Sequence, residues 1–229
     1  MNNIDMFKQM LTMQDDLNIV VNPDWKLLKY AWYRAVWIEC AELVEHHGYK
    51  WLKKQEPDWS RITLEIVDIW HFGMSMLLSL DISLNEIAEN LAFHYDTVIQ
   101  DEMYEHNSFI EKVEVLAGTV ITGVFDTISF FNVMLTANID LDMLFTMYVG
   151  KNVLNKFRQA NGYKQGTYIK TWYDGREDNE HLIDIMSSDS LKLVDSNDLI
   201  SYIYGTLQVI YHTPELTVSE EYIVHSNGC

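Results

Sequence analysis

Apolar residues recur three and four positions apart along most of the chain, the spacing of helices with one buried face. Met6, Phe7, Met10, Leu11, Met13, Gln14 and Leu17 predict a first helix over about 4–17, closed by Asn22-Pro23-Asp24. A second helix is expected over about 28–47, with Gly48 as its C-terminal cap. The stretch 49–56 reads as a basic and aromatic connector, and Pro57-Asp58 opens a third helix to about 79. Ser83-x-x-Glu86 and Ser108-x-x-Glu111 are capping boxes that open helices to about 105 and 137. That pair is expected as an αα-hairpin inserted between the catalytic halves, over 83–137. Further helices are expected over about 141–159, 176–186 and 198–211, with an ordered loop at 161–175 and a frayed tail over 213–229. No run alternates with the period of a strand. The expected fold is all-α, one helical-bundle domain spanning 1–229.

Charge narrows the function. The formal net charge is −18, from 16 basic and 34 acidic residues. Such a surface repels DNA, RNA and anionic membranes, so direct nucleic-acid binding is not expected. A small polyphosphate can bind only with metal ions and a local cluster of basic side chains. Cys40 and Cys229 form neither a disulfide framework nor a zinc cluster, which suits a reducing cytosol. The N-terminus has no signal-peptide pattern, and no apolar run approaches the roughly 20 residues that span a bilayer. A cytoplasmic protein is expected.

Two acidic pairs stand out. Glu39 and Glu42, like Glu65 and Asp68, are three apart and flanked almost entirely by apolar residues, so each pair projects from one face of a greasy helix. Burying carboxylates side by side is costly unless something cationic compensates them. Two such pairs on facing helices make a four-carboxylate cage suited to Mg²⁺. The competing reading is a buried ion-pair network with Arg34 or Arg61. The other pairs, Glu86/Glu89, Glu102/Glu105 and Glu111/Glu114, have polar or mixed neighbours and read as solvated faces. His71 follows Asp68 by three, as in di-iron bundles, and Asp178-x-x-His181 is the only other such motif. A core or supporting role for His71 is the simpler reading. The absence of any His-Asp dipeptide excludes the histidine–aspartate phosphohydrolases.

Far downstream lies a basic island. Six of the 16 basic residues (Lys151, Lys156, Arg158, Lys164, Lys170 and Arg176) fall within 151–176, beside the single acid Asp174. Lys151, Asn155 and Arg158 form one stripe of a helix, while Lys164 and Lys170 follow on a Gly-rich loop with Tyr163 and Tyr168. Cationic donors of this kind beside a carboxylate cage are what a polyphosphate requires. The plainer alternative is a patch for an acidic partner or for the chain's own acidic surface.

Several stretches together resemble the dimeric, all-α dUTP diphosphatases, and not the trimeric β-fold enzymes of the same activity. They are Met13-Gln14-Asp15-Asp16-Leu17-Asn18, Glu39-Cys40-Ala41-Glu42-Leu43, the run from Glu65 to Phe72, the long run from Tyr148 to Lys164, its continuation from Gly166 to Trp172, and Glu177-Asp178-Asn179-Glu180. The resemblance runs from about residue 5 to 185. It implies that Glu39, Glu42, Glu65 and Asp68 bind two or three Mg²⁺ ions, with Mn²⁺ as a substitute, and that Glu42 orients or deprotonates the attacking water. It further implies that Lys151, Asn155, Arg158, Tyr163, Lys164 and Lys170 hold the phosphates. Gln14 and Asn18 would read the uracil edge, with Trp51 and Phe72 packing on base or sugar and His71 near the ribose. The implied reaction converts dUTP, and also dUDP, to dUMP in a homodimer, keeping uracil out of DNA and supplying dUMP for thymidylate synthesis. Tyr49 and Leu52 depart from the tryptophans of that pattern. Three rival readings remain: a related enzyme that accepts dCTP, a non-catalytic helical interaction protein and, last, a di-iron oxidase.

Overall fold

The structure is a computed structural model that describes residues 1–100, 108–194 and 198–213. Its helices are α1 (Asn3–Val21), α2 (Trp32–His47), α3 (Trp59–Leu78), α4 (Leu84–Gln100), α5 (Phe109–Ile121), α6 (Thr127–Thr136), α7 (Leu141–Ala160), α8 (Asp178–Ser187) and α9 (Leu199–His212). The described residues contain no strand, only an isolated bridge between Thr171 and Glu177. The fold is all-α, as expected. The tail over 214–229 and the Glu102/Glu105 pair lie outside the described residues.

Local chemistry sets most helix ends. The Asn2 side chain accepts from the Asp5 amide at 2.8 Å to start α1, and Asp58 caps α3 by accepting from Arg61. Gly48 ends α2 at φ 89°, with its N–H on the Val44 carbonyl. Ser108 and Glu111 complete a full capping box. α1 runs four residues past its expected end, to Val21, and two further boundaries differ from expectation. α2 begins at Trp32 because the chain over 22–31 is held in turns, the Asp24 amide on Asn22 Oδ1 at 3.0 Å and the Trp25 indole on Asp15 at 3.2 Å. The single helix expected over 108–137 is two helices. Gly123 takes φ 88°, and Asp126 caps a new start by accepting from the Ile128 amide. Glycine supplies a backbone conformation that a side chain disfavours, and the aspartate supplies the restart.

The helices bury two apolar clusters joined by α7. The larger centres on Trp70, which stacks on Phe130 at 5.0 Å and packs beside Phe7 and Phe131. Ile87, Leu91, Val113, Leu116, Phe130 and Phe131, all from the expected 83–137 hairpin, belong to this same core. The smaller cluster joins Val153, Leu154 and Phe157 of α7 to Trp172, α8 and α9. α7 thus touches the main core with its first half and the C-terminal helices with its second.

Close packing at Gly73 locks α3 in register. A Cβ there would sit 2.2 Å from the Phe125 ring, well inside contact distance. Gly73→Ala is therefore expected to lower stability by about 1–3 kcal/mol through overpacking. Urea unfolding with an unchanged m-value measures it; a midpoint equal to that of the wild type would show that Phe125 yields freely.

Candidate active site

α2 and α3 pack along one another and bring both acidic pairs together. One carboxylate oxygen each from Glu39, Glu65 and Asp68 lie within 4.8 Å of one another. A second set within the same limit joins one oxygen each of Glu42 and Glu65 to a His46 ring nitrogen. Glu65 is common to both, and Glu42 is exposed at the rim. Burial, followed by the charges of Asp68, Glu65 and Glu42, pushes the Glu39 carboxyl up to about 9. Burial and Asp68 likewise push Glu65 to about 7, against the opposing charge of Lys151. Hard oxygen donors this crowded fit a divalent cation, whose charge would relieve the repulsion.

The cationic neighbour is neither of the expected arginines. Arg61 pairs with Asp58 at 3.5 Å, and Arg34 lies over the Tyr33 ring. Lys151, reaching in from α7, sets its Nζ 2.8 Å from Asp68 Oδ2 and 3.0 Å from Asn179 Oδ1. Its side chain is only 2% exposed, so the acidic cage and the basic stripe meet in a largely buried ion pair.

α8 orders the rest of the stripe. Arg158 donates two parallel hydrogen bonds of 2.8 Å to Asp178, which is fully buried. It also donates to Asn179 at 3.2 Å and to Asn155 at 3.1 Å. The Tyr168 hydroxyl donates to Asp178 at 2.8 Å. On the loop, Lys164 Nζ donates to the Val21 carbonyl at the end of α1 (2.8 Å), Lys170 pairs with Glu177 (3.1 Å), and Tyr163 is exposed beside Tyr168. Of the six residues assigned to phosphate, Lys151, Asn155 and Arg158 form one connected network, whereas Tyr163, Lys164 and Lys170 line the exposed loop.

A third group lies buried where α1, α3 and α7 meet. Gln14 Nε2 donates to Asn18 Oδ1 and to Ser75 Oγ, both at 3.1 Å. Gln14 Oε1 faces His71 Nδ1 at 2.6 Å and accepts from the Tyr148 hydroxyl at 3.2 Å. Burial pulls the His71 pKa down to about 3, so the ring is neutral. With Nδ1–H donated to Gln14, Nε2 is an acceptor. Among the described residues, that atom and Asn152 Oδ1 are both buried without a protein partner. Phe72 stacks on Trp32 at 6.2 Å. Trp51 is 88% exposed on the connector, and among the described residues no ring contact joins it to this group.

Sequence reasoning missed His46, Ser75, Tyr148, Asn152 and Asn179 as members of these networks. His46 carried a signal, four residues after Glu42 on the same face. Asn152, beside Lys151 in an apolar stretch, carried little.

Carboxylates on α2 and α3, a cationic stripe on α7 and a buried polar pocket against α1 define an all-α protein built around one mixed-charge site. A family model described as dUTPase matches residues 6–163, and the chain belongs to that family. Membership makes it a nucleotide diphosphatase acting on dUTP. The matched span contains all four carboxylates and Lys151 to Arg158, and it ends at Tyr163 before α8. No curated protein matches the chain.

Proposed function

We propose that the protein hydrolyses dUTP, and also dUDP, to dUMP at the α2–α3 cage with Mg²⁺ as the working cation and Mn²⁺ as a substitute. The observation that carries this reading is the 2.8 Å contact between Asp68 of the cage and Lys151 of the phosphate stripe. It makes acid cage and basic stripe one continuous surface. When bound, divalent cations supply neutralisation of the phosphate charge and a water acidified enough to attack near neutral pH.

The chain's own residues do the rest. Glu39, Glu42, Glu65 and Asp68 would hold the ions, and Glu42, exposed at the rim, would also accept the proton of the attacking water. Lys151, Asn155 and Arg158 are held in place by Asp178 and Asn179, so their donors are oriented before the triphosphate arrives. Lys164 and Lys170, each held in the structure by one exposed contact, swing onto the phosphates as the Gly-rich loop closes over them. Gln14, Asn18 and His71 form the base and sugar pocket, where the acceptors at His71 Nε2 and Asn152 Oδ1 suit a base that presents N–H. Phe72 and Trp51 cover the nucleoside. Gln14 Oε1 faces two donors and its Nε2 donates twice, so the fixed amide orders Asn18 and His71 around the base. The active form is a cytoplasmic homodimer with no nucleic-acid or membrane partner, and the whole chain acts as one catalytic domain.

Diphosphate release from dUTP, dCTP, dTTP and UTP, with Mg²⁺ and again with excess EDTA, tests the proposal. Metal-dependent turnover confined to dUTP is expected. Equal turnover of dCTP would keep the chemistry but refute the selectivity for uracil. No turnover of any nucleotide by folded protein would refute the reading.

A further inference from the structure

We infer that His46 is a metal ligand, making one side of the cage a mixed nitrogen–oxygen site. The inference rests on the cation-binding reading above and extends it to a residue outside the four carboxylates. His46 lies one turn after Glu42 on α2, so the two side chains share a face. Its backbone carbonyl accepts the Asp58 amide at 2.9 Å, tying the end of α2 to the cap of α3 and fixing where the imidazole starts. The His46 and Glu65 side chains are only 19% and 14% exposed, and Nε2 lies 3.4 Å from Glu65 Oε1, within ion-pair distance. A ring nitrogen and a carboxylate oxygen this close can share one cation.

Separation supports the same conclusion. Ligand bonds of about 2.1 Å put neighbouring donors of an octahedral ion about 3 Å apart and opposite donors about 4 Å apart. A His46 ring nitrogen and one oxygen each of Glu42 and Glu65 all lie within 4.8 Å of one another, so small side-chain rotations bring them into one shell. Glu65 also belongs to the all-oxygen set with Glu39 and Asp68. Glu65 would therefore be shared by two unlike positions. The all-oxygen position suits Mg²⁺, while imidazole shifts the other toward Mn²⁺ and later first-row ions.

Pulsed EPR of the full chain loaded with Mn²⁺ tests this without reference to turnover. The wild type is expected to show nitrogen hyperfine coupling to bound Mn²⁺. That coupling should vanish in His46→Gln, persist in His47→Gln, and be accompanied in His46→Gln by a loss of about tenfold in Mn²⁺ affinity with a smaller change for Mg²⁺. Mn²⁺ bound without nitrogen coupling in the wild type would overturn the role of His46 and leave the carboxylate cage standing. Coupling that survives His46→Gln would overturn it equally. Wild-type protein that binds no Mn²⁺ would overturn both the ligand and the cage. The wild-type spectrum decides the matter even if His46→Gln fails to fold.

Discussion

Glu42→Gln is expected to lower dUTP turnover by about 10²–10⁴-fold, the usual contribution of a positioned general base. The amide cannot take a proton from water and is a poorer ligand for a hard cation. Glu42 is exposed on α2 and lies in the set with His46 and Glu65, so its loss removes chemistry and leaves packing alone. The change in folding stability should stay within about 0.5 kcal/mol, as for other surface positions. Steady-state diphosphate release and a thermal melt on one preparation separate the two effects. Activity within tenfold of the wild type would move the base to another carboxylate. A collapse of the melting midpoint would assign the loss to folding instead.

The second large effect is structural as well as functional. Arg158→Ala should cost about 3–5 kcal/mol of stability, because breaking a buried pair strands its partner. That partner is Asp178, fully buried and gripped by both Arg158 donors at 2.8 Å. Burial alone would raise the Asp178 pKa, but the hydrogen bonds and charge of Arg158, with help from the Tyr168 hydroxyl and Lys151, hold it below the ordinary carboxylate value. A depressed folded-state pKa stabilises above the unfolded value of about 3.9 and is lost as pH falls through the folded one. In the variant the stranded carboxylate is raised by burial instead, so its cost is greatest near neutral pH. The stability gap between wild type and variant should therefore narrow as pH falls toward about 4. Denaturant unfolding at several pH values reads it directly. A gap that is independent of pH would mean that packing around the guanidinium, and not Asp178, carries the loss. The KM for dUTP should rise as well; a stability loss with unchanged kinetics would return the basic stripe to a purely structural role.

Those two residues show what can be read from linear order. Glu42 was legible because its neighbours are apolar and Glu39 lies three residues away, a pattern that only a helix face explains. Arg158 was legible as part of a stripe with Lys151 and Asn155, but its partner was not. Asp178 sits 20 residues downstream in a polar stretch that reads as surface, and the fold buries it completely. Likewise, the cation beside Asp68 comes from α7 and not from Arg61, two turns away on α3 itself. Gln14 and Asn18 were correctly placed one turn apart, yet their shared partner Ser75 lies on another helix.

By itself, the sequence determined the all-α class, most helix limits, both acidic pairs and the basic stripe. Periodicity, caps and glycine punctuation act over a few residues, and those features need nothing more. The break at Gly123 was within the same reach, since the glycine and Asp126 both stand in the sequence, but the capping box at Ser108 and the apolar run beyond it obscured them. Only tertiary structure decided which charge compensates which, that His46 joins Glu42 and Glu65, and that His71 and Asn152 keep buried acceptors with no protein partner among the described residues. The reason is physical. Partner choice depends on helix packing and on the loss of water around each group, and both are set by residues scores of positions apart.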